Sequence, residues 1–157
     1  MSLLSINDIF EFAVTIEKNG EKYYRKIAAN FSEPEIRKLF TYLADEEVKH
    51  AQLFSELLTG LGKNELAEIY PEEHINYLRE YVSHQIFADE KLGREAEKIH
   101  SAEAAIEFGI WREMDTILFY QELKTHLDQI RTAQIDKIIE EERKHFIKLV
   151  ELKKEIS

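Results

Sequence analysis

The sequence predicts an all-α protein, an antiparallel four-helix bundle with one long crossover connection that contains a short extra helix. Three observations predict it. The 157-residue chain has only five Gly and two Pro, so the punctuation that strands and hairpins need is missing. Four segments carry apolar residues at alternating steps of three and four, the spacing of a bundle helix's inward stripe. Their connections are unequal: a few residues within each pair, against a segment from about Leu61 to His100 between the pairs. The length of residues 1–157 is that of a single domain, large enough to bury a core without staples.

The elements follow in order. The first helix is expected to start at Ser5, with Asp8 three residues on as an imperfect capping box, and to run to about Asn30. Ser32, Pro34 and Glu35 mark the second start: N-cap, early proline and a carboxylate in the first turn. That helix should stop near Gly60 and Gly62. The third is expected from Ser101 to near His126, and the fourth from about Asp128 to the end. The crossover holds one shorter helix, from Pro71 to about Phe87, followed by the charged stretch DEKLGREAEK. Two short-looped hairpins flanking such a crossover fit a one-crossover bundle better than a simple up-and-down one.

Composition narrows the function. The formal net charge is −10 and no basic run occurs, which argues against nucleic acid, whose binding depends on phosphate neutralisation. There is no cysteine, so disulfides, zinc fingers, thiol catalysis and cysteine-bound iron are excluded. The opening MSLLSINDIFEF has early acidic residues and no basic n-region, so a secretory signal is not expected. No stretch approaches ~18 uncharged apolar residues, the length of a membrane span. The expected location is the cytoplasm, with no membrane partner.

The chemistry lies on the stripes. They read Ile6, Phe10, Ala13, Glu17, Gly20, Tyr24, Ile27, Phe31 in the first helix, and Ile36, Phe40, Leu43, Glu47, His50, Phe54, Leu57, Leu61 in the second. The third gives Ile106, Gly109, Glu113, Thr116, Tyr120, Leu123, Leu127; the fourth gives Ile135, Ile138, Glu142, His145, Leu149, Leu152, Ile156. Each is apolar or aromatic except near its middle. The interruptions also repeat: Glu17, Gly20 and Tyr24 recur 96 residues on as Glu113, Thr116 and Tyr120, and Glu47-x-x-His50 recurs 95 residues on as Glu142-x-x-His145. This is a duplicated helical hairpin with one half-site in each copy. Antiparallel helices of similar length align their midpoints, so four carboxylates and two imidazoles should meet in one buried layer.

Such a layer needs positive charge, because an isolated buried carboxylate costs several kcal/mol. No Lys or Arg stands beside these positions on the stripes. Two divalent metal ions would neutralise four glutamates, and carboxylate oxygen with neutral imidazole nitrogen suits iron(II) or manganese(II). A lone Glu-x-x-His is a weak signal; two of them, each matched to a mid-stripe Glu in a repeated hairpin, make a strong one.

At these residues the sequence resembles the rubrerythrin-like branch of the ferritin-like diiron-carboxylate superfamily. The stretches FAVTIEKNGEKYYRKIA, LADEEVKHAQLF, FGIWREMDTILFYQELK and IIEEERKHFIKLVELKKE carry the likeness and cover the four bundle helices. The resemblance implies a ferritin-like bundle with two iron ions, manganese being the alternative, held by Glu17, Glu47, His50, Glu113, Glu142 and His145. Glu47 and Glu142 would bridge or chelate the metals, Glu17 and Glu113 would take outer positions, and each His would bind one metal. It further implies oxidoreductase chemistry on hydrogen peroxide or dioxygen, with the same six residues as the catalytic set. Two departures matter. The cysteine-bound iron domain of rubrerythrins proper is missing, so electrons would come from a separate donor protein. The additional ligand Glu one turn after the third-helix Glu is replaced by Thr116. A ferroxidase or iron-handling role is the alternative, as is a non-catalytic, metal-stabilised bundle that binds a partner. A homodimer is the expected assembly.

The neighbours of the ligands have simpler readings. Tyr24 and Tyr120 are expected to support a ligand carboxylate by hydrogen bonding, with a redox role as the other option. Gly20 and Thr116 leave either room for a small oxidant or close helix packing. Glu46 and Glu141 should point about 100° from the ligands, into solvent. Trp111 is expected in hydrophobic packing, and His74, His84, His100 and His126 on the surface or in structural positions.

Overall fold

A computed structural model describes residues 6–60, 97–125 and 127–157, with 73, 76, 77, 80, 81 and 94 from the crossover. Four long helices make up the bundle: α1 (Ile6–Asn30), α2 (Pro34–Gly60), α3 (Ala102–Lys124) and α4 (Gln129–Ile156). No strand occurs among the described residues. The expected starts at Ser101 and Asp128 are N-caps: Ser101 accepts from the Ala104 amide at 3.1 Å, and Asp128 from the Arg131 amide at 2.8 Å. The second start lies one residue later than the Ser32 signal implied. Pro34 is the first helical residue, the Arg37 amide bonds the Glu33 carbonyl, and the Ser32 hydroxyl turns to the Glu33 carboxylate. The cap at Ser5 and most of the extra helix from Pro71 to Phe87 lie outside the described residues.

Two apolar clusters fix the helix directions. One joins Phe10, Ala13 and Ile16 near the start of α1 with Phe54 and Leu57 late in α2, Phe119 and Leu123 late in α3, and Ile135 and Ile138 early in α4. The other joins Tyr23 and Ile27 late in α1 with Ile36 and Phe40 early in α2, Ile106 early in α3, and Leu149 and Leu152 late in α4. The order is therefore up, down, down, up. The chain leaves α2 at one end of the bundle and must enter α3 at the other. A 23-residue helix is about 35 Å long, which is why the connection has to be long. Tyr81 marks its course: its ring stacks on Phe119 at 5.9 Å and its hydroxyl donates to the Asp115 carbonyl at 2.9 Å.

The inward stripes are buried as the spacing requires. Among the described side chains only the stripe ends depart: Phe31 and Leu127 are half-buried and Ile156 is exposed. Trp111 departs from its expected packing and is 56% exposed. Its neighbour Arg112 turns inward, and one residue's rotation about α3 carries the indole to the outer surface. No helix among the described residues is long and apolar enough to cross a membrane.

Candidate metal centre

The polar layer lies between the two apolar clusters. Glu17, Glu47, Glu113 and Glu142 are fully buried, and His50 and His145 are 2% and 1% exposed. All six residues singled out by the stripes are brought together. They form two overlapping groups, Glu17–Glu47–His50–Glu142 and Glu47–Glu113–Glu142–His145, and in each the ligand atoms lie within 4.8 Å of one another. Glu47 and Glu142 belong to both groups. The Glu-x-x-His spacing accounts for this, since residues three apart share a helix face one turn apart.

The Nδ1 atoms of both histidines face the carboxylates. His50 Nδ1 is 2.9 Å from Glu142 Oε1 and 3.5 Å from Glu17 Oε2, and His145 Nδ1 is 2.9 Å from Glu142 Oε2. The two rings stack at 5.6 Å. Burial raises the Glu113 pKa well above the usual carboxylate range, and nearby Glu142 adds to it. Burial likewise raises Glu47; Arg112 opposes this, and Glu17 and Glu142 reinforce it. Glu142 goes the other way: burial alone would raise it, but His50 and His145 hold it well below the usual range. His50 is correspondingly raised, because Glu142 and Glu17 outweigh the effect of its burial.

The tyrosines are crossed between hairpins. Tyr24 of α1 donates to Glu113 of α3, and Tyr120 of α3 donates to Glu17 of α1. Each hairpin thus orients the other's carboxylate. The residues repeat along the chain, but the exchange depends on how the helices meet.

The surroundings of the layer add to the sequence reading. A cation does stand beside the site: Arg112, one position before Glu113, is fully buried. Its Nη1 and Nη2 donate to Glu47 Oε1 and Oε2 at 3.2 and 3.1 Å, and Nη2 also donates to the Ile16 carbonyl at 3.0 Å. The stripe count missed it because a long side chain reaches the layer from the flank. Gly20 is the reason it fits. A Cβ there would lie 1.7 Å from Arg112 Nη2 and 2.2 Å from Cζ, so Gly20 makes room for the guanidinium. Glu141 is 48% exposed, yet its Oε2 lies 2.9 Å from His50 Nε2. Its counterpart Glu46 pairs with Lys49 at 2.5 Å instead. Thr116 is buried, with no hydrogen-bond partner for its hydroxyl.

The residues fit a pair of divalent cations. Glu17 Oε2 and Glu113 Oε2 are buried in the layer without a hydrogen-bond partner, and Glu142 Oε1 and His50 Nδ1, also buried, face each other at 2.9 Å, outside hydrogen-bond geometry. Among the described residues Arg112 is the one buried Lys or Arg facing four buried carboxylates. Hard oxygen donors with imidazole suit iron or manganese.

Fold and cluster together define a ferritin-like helical bundle with a carboxylate–histidine site of the diiron type. The family model described as Rubrerythrin matches residues 8–153, and the chain belongs to that family. Among solved structures, a Thermotoga maritima chain assigned as a ferritin-like diiron-carboxylate protein is similar, with a TM-score of 0.72 and 26% identity. The match covers 100% of this chain and 99% of that one.

Proposed function

We propose that the chain holds two iron ions between Glu17, Glu47, His50, Glu113, Glu142 and His145 and reduces hydrogen peroxide or dioxygen with electrons from a separate donor protein. The observation that carries this reading is the pair of four-residue groups sharing Glu47 and Glu142, the arrangement two bridged metals need. Iron bound there would supply the two electrons that break an O–O bond. The protein residues have separate tasks. Glu47 and Glu142 would span both metals, while Glu17 and Glu113 would each close one side.

Glu141, 2.9 Å from His50 Nε2, would set the tautomer of His50 in the metal-bound protein. By accepting from Nε2–H it would direct the Nδ1 lone pair to the metal that replaces the proton there. Tyr24 and Tyr120 hold the outer carboxylates through one oxygen, leaving Glu113 Oε2 and Glu17 Oε2 as donors. The apolar clusters on either side keep bulk water from the layer.

Anaerobic Fe(II) titration followed by stoichiometric peroxide, watched in the near-UV, tests the reading. Two irons per chain and rapid peroxide consumption are expected. Glu47→Ala with Glu142→Ala should abolish binding of both equivalents. Retention of two irons by that double variant, or failure of the unaltered protein to bind two, would sink the proposal.

A further inference from the structure

The two hairpins repeat each other closely around the centre, and Arg112 breaks the repeat. The position 96 residues before it is Ile16. Instead of meeting a second arginine, Arg112 donates to the Ile16 backbone carbonyl. Its guanidinium is fully buried, grips both oxygens of Glu47, lies 3.9 Å from Glu113 Oε1 and sits over the Tyr24 ring at 5.1 Å. An arginine cannot lose its charge in a protein, so this cation is permanent.

Glu47 is one of the two carboxylates common to both ligand groups. A carboxylate offers about four lone-pair positions, and the arginine fork occupies one on each oxygen. One position on each oxygen is left for metal. Arg112 and two metals can therefore hold Glu47 together, and Arg112 need not leave for metal to bind. Its charge acts in opposite directions in the two states. Without metal it offsets part of the repulsion among four buried carboxylates; with metal it adds to a layer that already holds four positive charges.

We propose that Arg112 is a built-in counter-cation that keeps the ligand layer assembled in the metal-free protein and weakens the layer's hold on metal. The inference rests on the dimetal reading above and adds a reason for the asymmetry of the site. It also explains Gly20, since any larger side chain would occupy the guanidinium's place.

The test compares full-length wild type and Arg112→Leu by thermal unfolding, each metal-free and loaded with Mn(II), together with Mn(II) calorimetry. The metal-free midpoint should fall further than the loaded one, widening the gap that Mn(II) opens, and Mn(II) should bind about tenfold or more tightly. A variant that folds only with Mn(II) is the extreme of the same result and supports the proposal. Equal falls in both states would make Arg112 a packing residue and overturn it. A narrower gap or weaker binding would overturn it too, by making Arg112 a requirement for metal. Should Arg112→Leu fold in neither state, Arg112→Gln, which keeps a donor and drops the charge, is judged by the same criteria. The dimetal reading fails separately, through a wild type that does not take up two Mn(II), and both ideas then fall.

Discussion

The α1–α2 and α3–α4 hairpins bring matching ligands to the centre but unlike surroundings. Glu17 matches Glu113, the two Glu-x-x-His pairs match, and the tyrosines exchange partners across the bundle. Around them Ile16 faces Arg112, Gly20 stands where the second copy has Thr116, and Glu46 binds Lys49 where Glu141 binds His50. Under the proposed dimetal reading the ligands have to match, because both metals would need similar donors. The supports need only be satisfied once, so they are free to diverge. One hairpin carries the buried cation and the other carries the hole it fills.

The sharpest way to break this comparison is to place alanine at both Gly20 and Thr116. Gly20→Ala should push the guanidinium off Glu47 and cost about 3 kcal/mol or more in the metal-free protein, the scale of a broken buried ion pair. Thr116→Ala removes a buried hydroxyl without a partner and should change stability by less than about 1 kcal/mol. Denaturant unfolding of the two variants decides it. Similar losses at both positions would mean that the guanidinium is not what Gly20 accommodates.

Next in size come the crossed tyrosines. Tyr24→Phe and Tyr120→Phe each leave a buried carboxylate oxygen without its donor, and each should cost about 1–3 kcal/mol. Because the two bonds are equivalent across the repeat, the losses should be alike. A large loss at one position with none at the other would show that only one hairpin depends on the exchange.

The smallest expected effect separates Glu141 from Glu46. Glu141→Gln should weaken binding of one metal of the pair about tenfold, since it disturbs the group that fixes His50. Glu46→Gln should leave both metals unaffected. Mn(II) calorimetry distinguishes them, and equal effects would remove Glu141 from the site.

Much of this was legible in the residues, for a physical reason. A helix has one period, so the stripe positions follow from spacing, and a charged residue in mid-stripe must be buried when the stripe is. Glu17, Glu47, His50, Glu113, Glu142 and His145 were all readable in this way. Arg112 was not, because it lies beside the stripe and enters the layer through the length of its side chain. Glu141 is exposed, as its place beside the stripe implies, but its contact with His50 was not readable because its carboxylate reaches back to an imidazole on another helix. Trp111 is exposed where packing was expected, because α3 turns the neighbouring Arg112 inward in its place.

Sequence by itself determined the four helices, the long crossover and the six residues of the layer, since all of these depend on local spacing and on the ban on unpaired buried charge. Tertiary structure alone decided which tyrosine serves which glutamate, that Gly20 houses a guanidinium, and that Glu47 is held by Arg112 while Glu142 is held by two histidines. Those choices depend on distances between side chains of different helices, and no period along one chain encodes them.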